Sequence, residues 1–337
     1  MTKKDIIKFI TFPLLLVVVV FLVSHFLFVS RNLMSYGKFY EERKDSIDVV
    51  LIGNSTVMNG FIPPLAWKEF GYTSYSICNA PTHPEVIKIA IDEIMRTQSP
   101  KVIYVDINGL TYQKKIDAEN FVRSYIGSMP DCDAKKELEL LYGISNEGDS
   151  GLFKGHNNFR QKEFWRLSLD KGPSWNKGYT PKRTAQIITP MDTISGYSLP
   201  LPQDGQEYLT EILDICDKYT DVDFVFGKTP RFLTDENAYA TYMLRSVQPI
   251  IEACGYRFID FYEILDEIGL ENTRDMFDLE HMNHSGATKF TRYFSEFIKL
   301  EYGIGDMNYS NDIKRNYNNA YERFRKEVYK YEKALGM

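Results

Sequence analysis

The chain has 337 residues, with 40 Lys and Arg against 46 Asp and Glu, and a formal net charge of −6. That acidic balance, with no basic stripe, excludes a general nucleic-acid footprint. Cys78, Cys132, Cys216 and Cys254 are widely spaced with no C-x-x-C pair, which excludes a zinc knuckle and a dithiol redox site.

Residues 1–8 form a short tail in which Lys3, Lys4 and Lys8 outnumber Asp5. Phe9 to Val29 then gives 21 residues without Asp, Glu, Lys or Arg. Such a run is long enough to span a bilayer as one transmembrane helix, and the positive charge before it places the N-terminus in the cytoplasm. The competing reading is a cleaved signal peptide. Its apolar region is usually shorter, and Val23 to Ser30 offers no small-x-small cleavage site, so an uncleaved single-pass anchor in the cell membrane is expected. Everything after Val29 then lies outside the cytoplasm. Pro13 and His25 fall inside the span and receive no catalytic role.

The 308 residues past Val29 suffice for one large α/β domain, expected over 47–302. Ile47 to Ile52 is a largely β-branched run, apolar apart from Asp48, of the kind found in strands covered on both faces, and it ends in Gly53-Asn54-Ser55. A helical stretch (63–70), a strand (73–77), a helix (85–95) and a strand (102–106) follow. From about 110 to 205 the rhythm breaks into an insertion. Its part from 148 to 196 is rich in Gly, Asn, Ser and Pro, but Phe153, Phe159, Phe164, Trp165, Trp175 and Tyr179 argue against disorder, so it is expected to form a wall or lid.

The pattern resumes with a helix (207–219), a strand (224–227), a helix (238–254), a short strand (257–261) and a helix (286–302). Strands alternating with helices imply a parallel sheet with helices on both faces, the flavodoxin-like architecture. Ligands bind beyond the carboxyl ends of such strands, where Ser55 and Asn108 both fall. The last segment, 311–337, carries Ile313, Tyr317, Tyr321, Phe324, Val328, Tyr331 and Leu335 on one face of an amphipathic helix. Packing on its own domain is favoured for that face over membrane or partner contact. Cys216 and Cys254 sit in apolar helical contexts and are expected as buried free thiols.

Asp278-Leu279-Glu280-His281 precedes the 286–302 helix, and the D-x-x-H spacing lets the carboxylate meet the imidazole and fix its tautomer. The other ring nitrogen is then available to take a proton from a hydroxyl on another loop. Ser55 is the hydroxyl in place, although a serine before a helix also serves as an N-cap. His284 lies three residues past His281, and a metal site can be drawn with Asp278 or His83. A divalent ion needs three or four convergent ligands, and this is one short cluster, so no metal is expected. His284 is read first as a supporting or helix-capping residue, His83 and His284 are the candidate pocket residues, and His156 lies in the insertion.

Taken together, Gly53-Asn54-Ser55-Thr56 after the first strand, Asn108 after the third and Asp278-x-x-His281 before the last domain helix resemble the SGNH (GDSL-like) hydrolase family. The likeness covers roughly 47–110 and 205–302. It implies Ser55 as nucleophile, Asp278 and His281 as its supporting pair, and an oxyanion hole from Ser55, Asn108 and Asn79. The third block reads Asp106-Ile107-Asn108-Gly109 in place of G-x-N-D, and the second reads Cys78-Asn79-Ala80 where a glycine is usual. The block from Asp278 to Ala287 is similar to membrane-anchored members that act on envelope polymers, including the D-alanyl transfer protein of lipoteichoic acid synthesis and alginate O-acetylation proteins. The resemblance implies an extracytoplasmic esterase or O-acyltransferase for an acyl ester of an envelope glycan or polyol polymer, with a membrane-bound O-acyltransferase as partner and no cofactor. The rival from another class is a non-catalytic envelope scaffold on the same fold, which has no need of Ser55, Asp278 and His281 together.

Overall fold

The computed structural model describes residues 2–31, 38–78, 84–111, 125–126, 129–130, 132–143, 173–192 and 196–336. Five strands, β1 (Val49–Gly53), β2 (Ser74–Cys78), β3 (Val102–Asp106), β4 (Asp223–Lys228) and β5 (Arg257–Asp260), form one parallel sheet in the order β2-β1-β3-β4-β5. This is the flavodoxin-like order, in which the chain switches direction across the sheet between β1 and β3.

The described helices are α1 (Lys3–Arg31), α2 (Ser55–Gly60), α3 (Pro63–Phe70), α4 (Pro84–Thr97), α5 (Asp133–Leu141), α6 (Gln203–Cys216), α7 (Ala238–Arg245), α8 (Gln248–Ala253), α9 (Leu265–Ile268), α10 (His284–Tyr302) and α11 (Asn311–Leu335). The alternation of side chains along a strand builds two cores. Val50, Ile52, Ile103, Val105 and Phe226 meet Ile87 and Ile91 of α4, Leu209 and Ile212 of α6 and Leu244 of α7. On the other face Val49, Leu51, Tyr104 and Val225 meet Phe61 and the α10 residues Phe290, Phe294 and Ile298. Central strands covered on both sides have no room for polar side chains on either face, which is why β1 reads as an unbroken apolar run.

The helix expected over 238–254 is two helices. Pro249 has no N–H to give and its ring crowds the carbonyl four residues back, so the chain turns after Arg245 and restarts at Gln248 with the proline in the first turn. Cys254 is exposed, against the expectation of burial, because α8 ends at Ala253 and the chain leaves through Gly255 at φ +88°. All four cysteines are free.

Among the described residues no helix is long and apolar enough to cross a membrane. The longest run of α1 with described side chains is 9–22, where Phe9, Phe12, Leu14, Leu15 and Phe21 are exposed. At the other end, α11 lays Tyr317, Ala320, Phe324 and Val328 in buried positions, and its Phe324 and Val328 join Ile62, Leu65, Tyr179 and Ala287 in a third cluster. The Tyr317 hydroxyl donates to Ser74 O at 3.1 Å, and Trp67 Nε1 donates to Asn318 Oδ1 at 2.9 Å. The apolar face of the last helix is therefore covered by its own domain.

Part of the insertion crosses the carboxyl end of the sheet. Lys177 O accepts from Ser76 N, Thr180 N donates to Met58 O, Gln186 N to Met276 O and Met191 N to Leu233 O, all within 2.8–2.9 Å. Its anchor is an ion pair with no exposure on either side: Lys177 Nζ lies 2.7 Å from Glu42 Oε1, and Asn316 Nδ2 donates to Glu42 Oε2 at 3.0 Å. Phe153, His156, Phe159, Phe164 and Trp165 lie outside the described residues.

Candidate active site

Ser55 enters the site because β1 ends and α2 begins with no intervening loop. Asn54 caps α2, its Oδ1 accepting from Thr56 N at 2.9 Å and from the Thr56 hydroxyl at 2.6 Å. Gly53 is required by space: a Cβ there would lie 2.4 Å from Val57 Cγ2 and 2.8 Å from Asp106 Cβ. The turn from strand to helix is thus pressed directly against the end of β3.

Asp278 and His281 sit on a small hairpin. Met276 and Met282 form an antiparallel bridge, Phe277 N donates to His281 O at 2.8 Å, and Asn283 N donates to Asp275 O at 3.0 Å. Within it Asp278 Oδ1 accepts from Glu280 N and His281 N, both at 2.8 Å, so the carboxylate is fixed before it meets the ring. His281 Nδ1 lies 2.8 Å from Asp278 Oδ1 and 2.9 Å from Oδ2, and His281 Nε2 lies 2.7 Å from Ser55 Oγ. With Nδ1 protonated toward the carboxylate, Nε2 presents its lone pair to the serine hydroxyl. This arrangement can remove a proton from Oγ as it attacks an electrophile and return it to a leaving group.

The hairpin is held from behind. Asn283 caps α10 with Oδ1, accepting from Ser285 N at 2.9 Å and Gly286 N at 3.2 Å, while its Nδ2 donates to Arg274 O at 2.6 Å. Gly286 lets α10 approach that strand closely, since a Cβ would lie 2.4 Å from Asp275 O.

Asn108 is buried in the turn after β3. Its backbone N donates to Asp106 Oδ1 at 3.0 Å, and Nδ2 lies 2.8 and 3.0 Å from the two Asp106 carboxylate oxygens. Asn108 Oδ1 is buried with no hydrogen-bond partner among the described residues. Asp106 also accepts from Thr229 N at 2.9 Å and the Thr229 hydroxyl at 2.5 Å. Burial pushes the Asp106 carboxyl above the usual range against the pull of these donors, and burial beside Asp106 pushes the Cys78 thiol well up. A thiol so placed is a poor nucleophile.

His284 stands apart from this constellation. It opens α10 at 2% exposure, with Nδ1 2.9 Å from the Tyr179 hydroxyl and its ring against Phe324, where it joins the insertion to α10 and α11. Asn79 and His83 lie outside the described residues. Among the described residues no group of three His, Cys, Asp or Glu could hold a metal.

In the sequence Asp106 stands only as a departure of the third block with no role attached, and Thr229 and Arg231 belong to no local motif. Arg231 forms an ion pair with Glu280, between Asp278 and His281, and its Nε donates to the Tyr262 hydroxyl. Thr229 and Arg231 directly follow β4, the kind of position a parallel sheet marks for chemistry. Comparisons with family models, curated proteins and solved structures find no match for the chain.

Proposed function

We propose that the chain is a serine esterase or O-acyltransferase of the SGNH type that forms an acyl-serine intermediate on Ser55. The observation that carries this reading is the contact of Ser55, His281 and Asp278 in series, at 2.7 and 2.8 Å, from positions 226 residues apart in the chain. In the reaction Ser55 Oγ attacks an ester carbonyl while His281 Nε2 takes its proton and Asp278 stabilises the imidazolium. His281 then returns the proton to the departing alcohol oxygen. Water or a sugar or polyol hydroxyl attacks the acyl-serine with the same histidine as base, releasing acid or a new ester and regenerating Ser55.

The oxyanion donors in this reading are the Ser55 N–H and Asn108 Nδ2. The latter carries two hydrogens, and one of them suffices for the Asp106 carboxylate. Asn79, the residue after Cys78 in the sequence, is the third candidate. No step calls for a cofactor. The substrate class is an acyl ester of an envelope glycan or polyol polymer, with a membrane-bound O-acyltransferase as the partner that would supply or share the acyl group.

The location proposed is the outer side of the cell membrane, with α1 as the anchor. Support comes from the uncharged stretch of 21 residues, the lysines that precede it and the exposed apolar side chains along it. A scaffold reading leaves the ordered Ser55–His281–Asp278 contacts without a use.

The test is ester turnover by the full chain in mild detergent, with p-nitrophenyl acetate. Ser55→Ala and His281→Ala should each lower kcat by at least about 10³-fold, and Asp278→Asn by at least about 10²-fold. Equal turnover in Ser55→Ala and wild type would remove the acyl-serine reading.

A further inference from the structure

The candidate site is assembled from three arms: α2 with Ser55, the turn after β3 with Asn108, and the 276–282 hairpin with Asp278 and His281. The loop leaving β4 touches all three. Thr229 donates its N–H and hydroxyl to Asp106 Oδ2, the same carboxylate that holds the Asn108 turn. Its methyl and the Met282 terminus close over Gly60, the last residue of α2. A Cβ on Gly60 would lie 3.1 Å from Thr229 Cγ2 and 2.7 Å from Met282 Cε. Two residues on, Arg231 pairs with Glu280 on the hairpin and is backed by the Tyr262 hydroxyl.

We infer that Thr229 and Arg231 are positioning residues, and that the 229–231 loop is the strut that sets the His281 hairpin and the Asn108 turn at their working distance from Ser55. The inference rests on the acyl-serine reading and adds to it the device that keeps its parts in register. Each contact suits that task. The Arg231 side chain is 7% exposed and serves two acceptors from one planar group, which a lysine cannot do. Glu280 lies between the orienting carboxylate and the base, so a pull on its side chain is a pull on the whole turn. Thr229 supplies two of the donors that fix Asp106, and Asp106 in turn fixes the backbone and the amide of Asn108. Displacement of a catalytic group by about 1 Å can cost about 10²-fold in rate, so such a strut has a kinetic consequence even though neither residue touches substrate.

The experiment uses the full chain in detergent, p-nitrophenyl acetate for kcat and KM, and a fluorophosphonate for the rate of adduct formation at Ser55. Thr229→Val keeps the methyl packing and removes the hydroxyl. Arg231→Lys keeps the charge and removes the fork. Both should lower kcat and the labelling rate by about tenfold or more with KM within about twofold. Thr229→Ser should recover most of the Thr229→Val loss, and Arg231→Lys combined with Glu280→Gln should be no slower than Arg231→Lys alone, since both act on one contact. Circular dichroism establishes folding, and Glu280→Gln, whose side chain is 41% exposed, tests the same contact from the outer side. Full kcat in folded Thr229→Val and Arg231→Lys, with Ser55→Ala inactive, overturns the strut alone. Activity in Ser55→Ala overturns the acyl-serine reading and the strut with it.

Discussion

His284 should make the fold acid-sensitive in a window set by its burial. Burial first, and the Arg325 cation second, hold its imidazole neutral down to about 4, against an ordinary value of 6.5. Glu332 Oε1 lies 3.9 Å from Nε2 but is itself paired to Arg325 Nη1 at 2.7 Å, so it offers an imidazolium little net attraction. Between pH 6.5 and 4 the unfolded chain binds a proton here that the folded chain refuses. Stability contributed by the neutral, buried ring is therefore complete above about 6.5, falls as the pH drops toward 4, and is flat below. The full difference corresponds to about 3 kcal/mol, of which about 2–3 kcal/mol falls between pH 7 and 4.5. Urea unfolding of the wild type and of His284→Gln at both pH values isolates this residue, because the carboxylates common to both chains cancel in the comparison. The variant starts lower at pH 7, having lost ring packing and the Tyr179 contact, and then loses about 2–3 kcal/mol less on acidification. Parallel losses in the two chains would mean that His284 takes its proton in the folded state as readily as in the unfolded one, so that burial does not hold the ring neutral.

Gly53→Ala should lower stability by about 1–3 kcal/mol, because the added methyl overlaps Val57 Cγ2 and Asp106 Cβ, and thermal unfolding should show it as a fall of several degrees. Asn108→Ala should lower ester turnover by about 10²-fold while the chain still folds; unchanged turnover would assign the oxyanion to backbone amides or Asn79. Lys177→Met strands the buried Glu42 carboxylate and should cost about 3–5 kcal/mol in urea unfolding, most of it recovered when Glu42→Gln is added.

The architecture was legible where one pattern answers to one cause. Val49 to Ile52 and Val102 to Val105 are apolar throughout because both faces are covered, and that placed Ser55 and Asn108 at the same sheet end. The contact between Asp278 and His281 was legible because it spans one turn of chain. The strut was not. Thr229 meets Asp106, 123 residues away, only because β3 and β4 are neighbours in the sheet, and no local pattern encodes that adjacency. Arg231 reads as one more charged loop residue until the hairpin brings Glu280 to it. Lys177 sits among polar insertion residues, and only the fold reveals that it is sealed against Glu42 with no solvent. The break at Pro249 was present in the sequence as a proline inside an apolar period, and the period masked it.

The measurement that bears most directly on the catalytic account is covalent. The full chain, incubated with a fluorophosphonate and digested, should carry one phosphonyl adduct on the peptide containing Ser55. The adduct should be absent in Ser55→Ala and form far more slowly in His281→Ala, because the hydroxyl is nucleophilic only while Nε2 takes its proton. A wild type that stays unlabelled, or a Ser55→Ala chain labelled at the wild-type rate, would contradict the account.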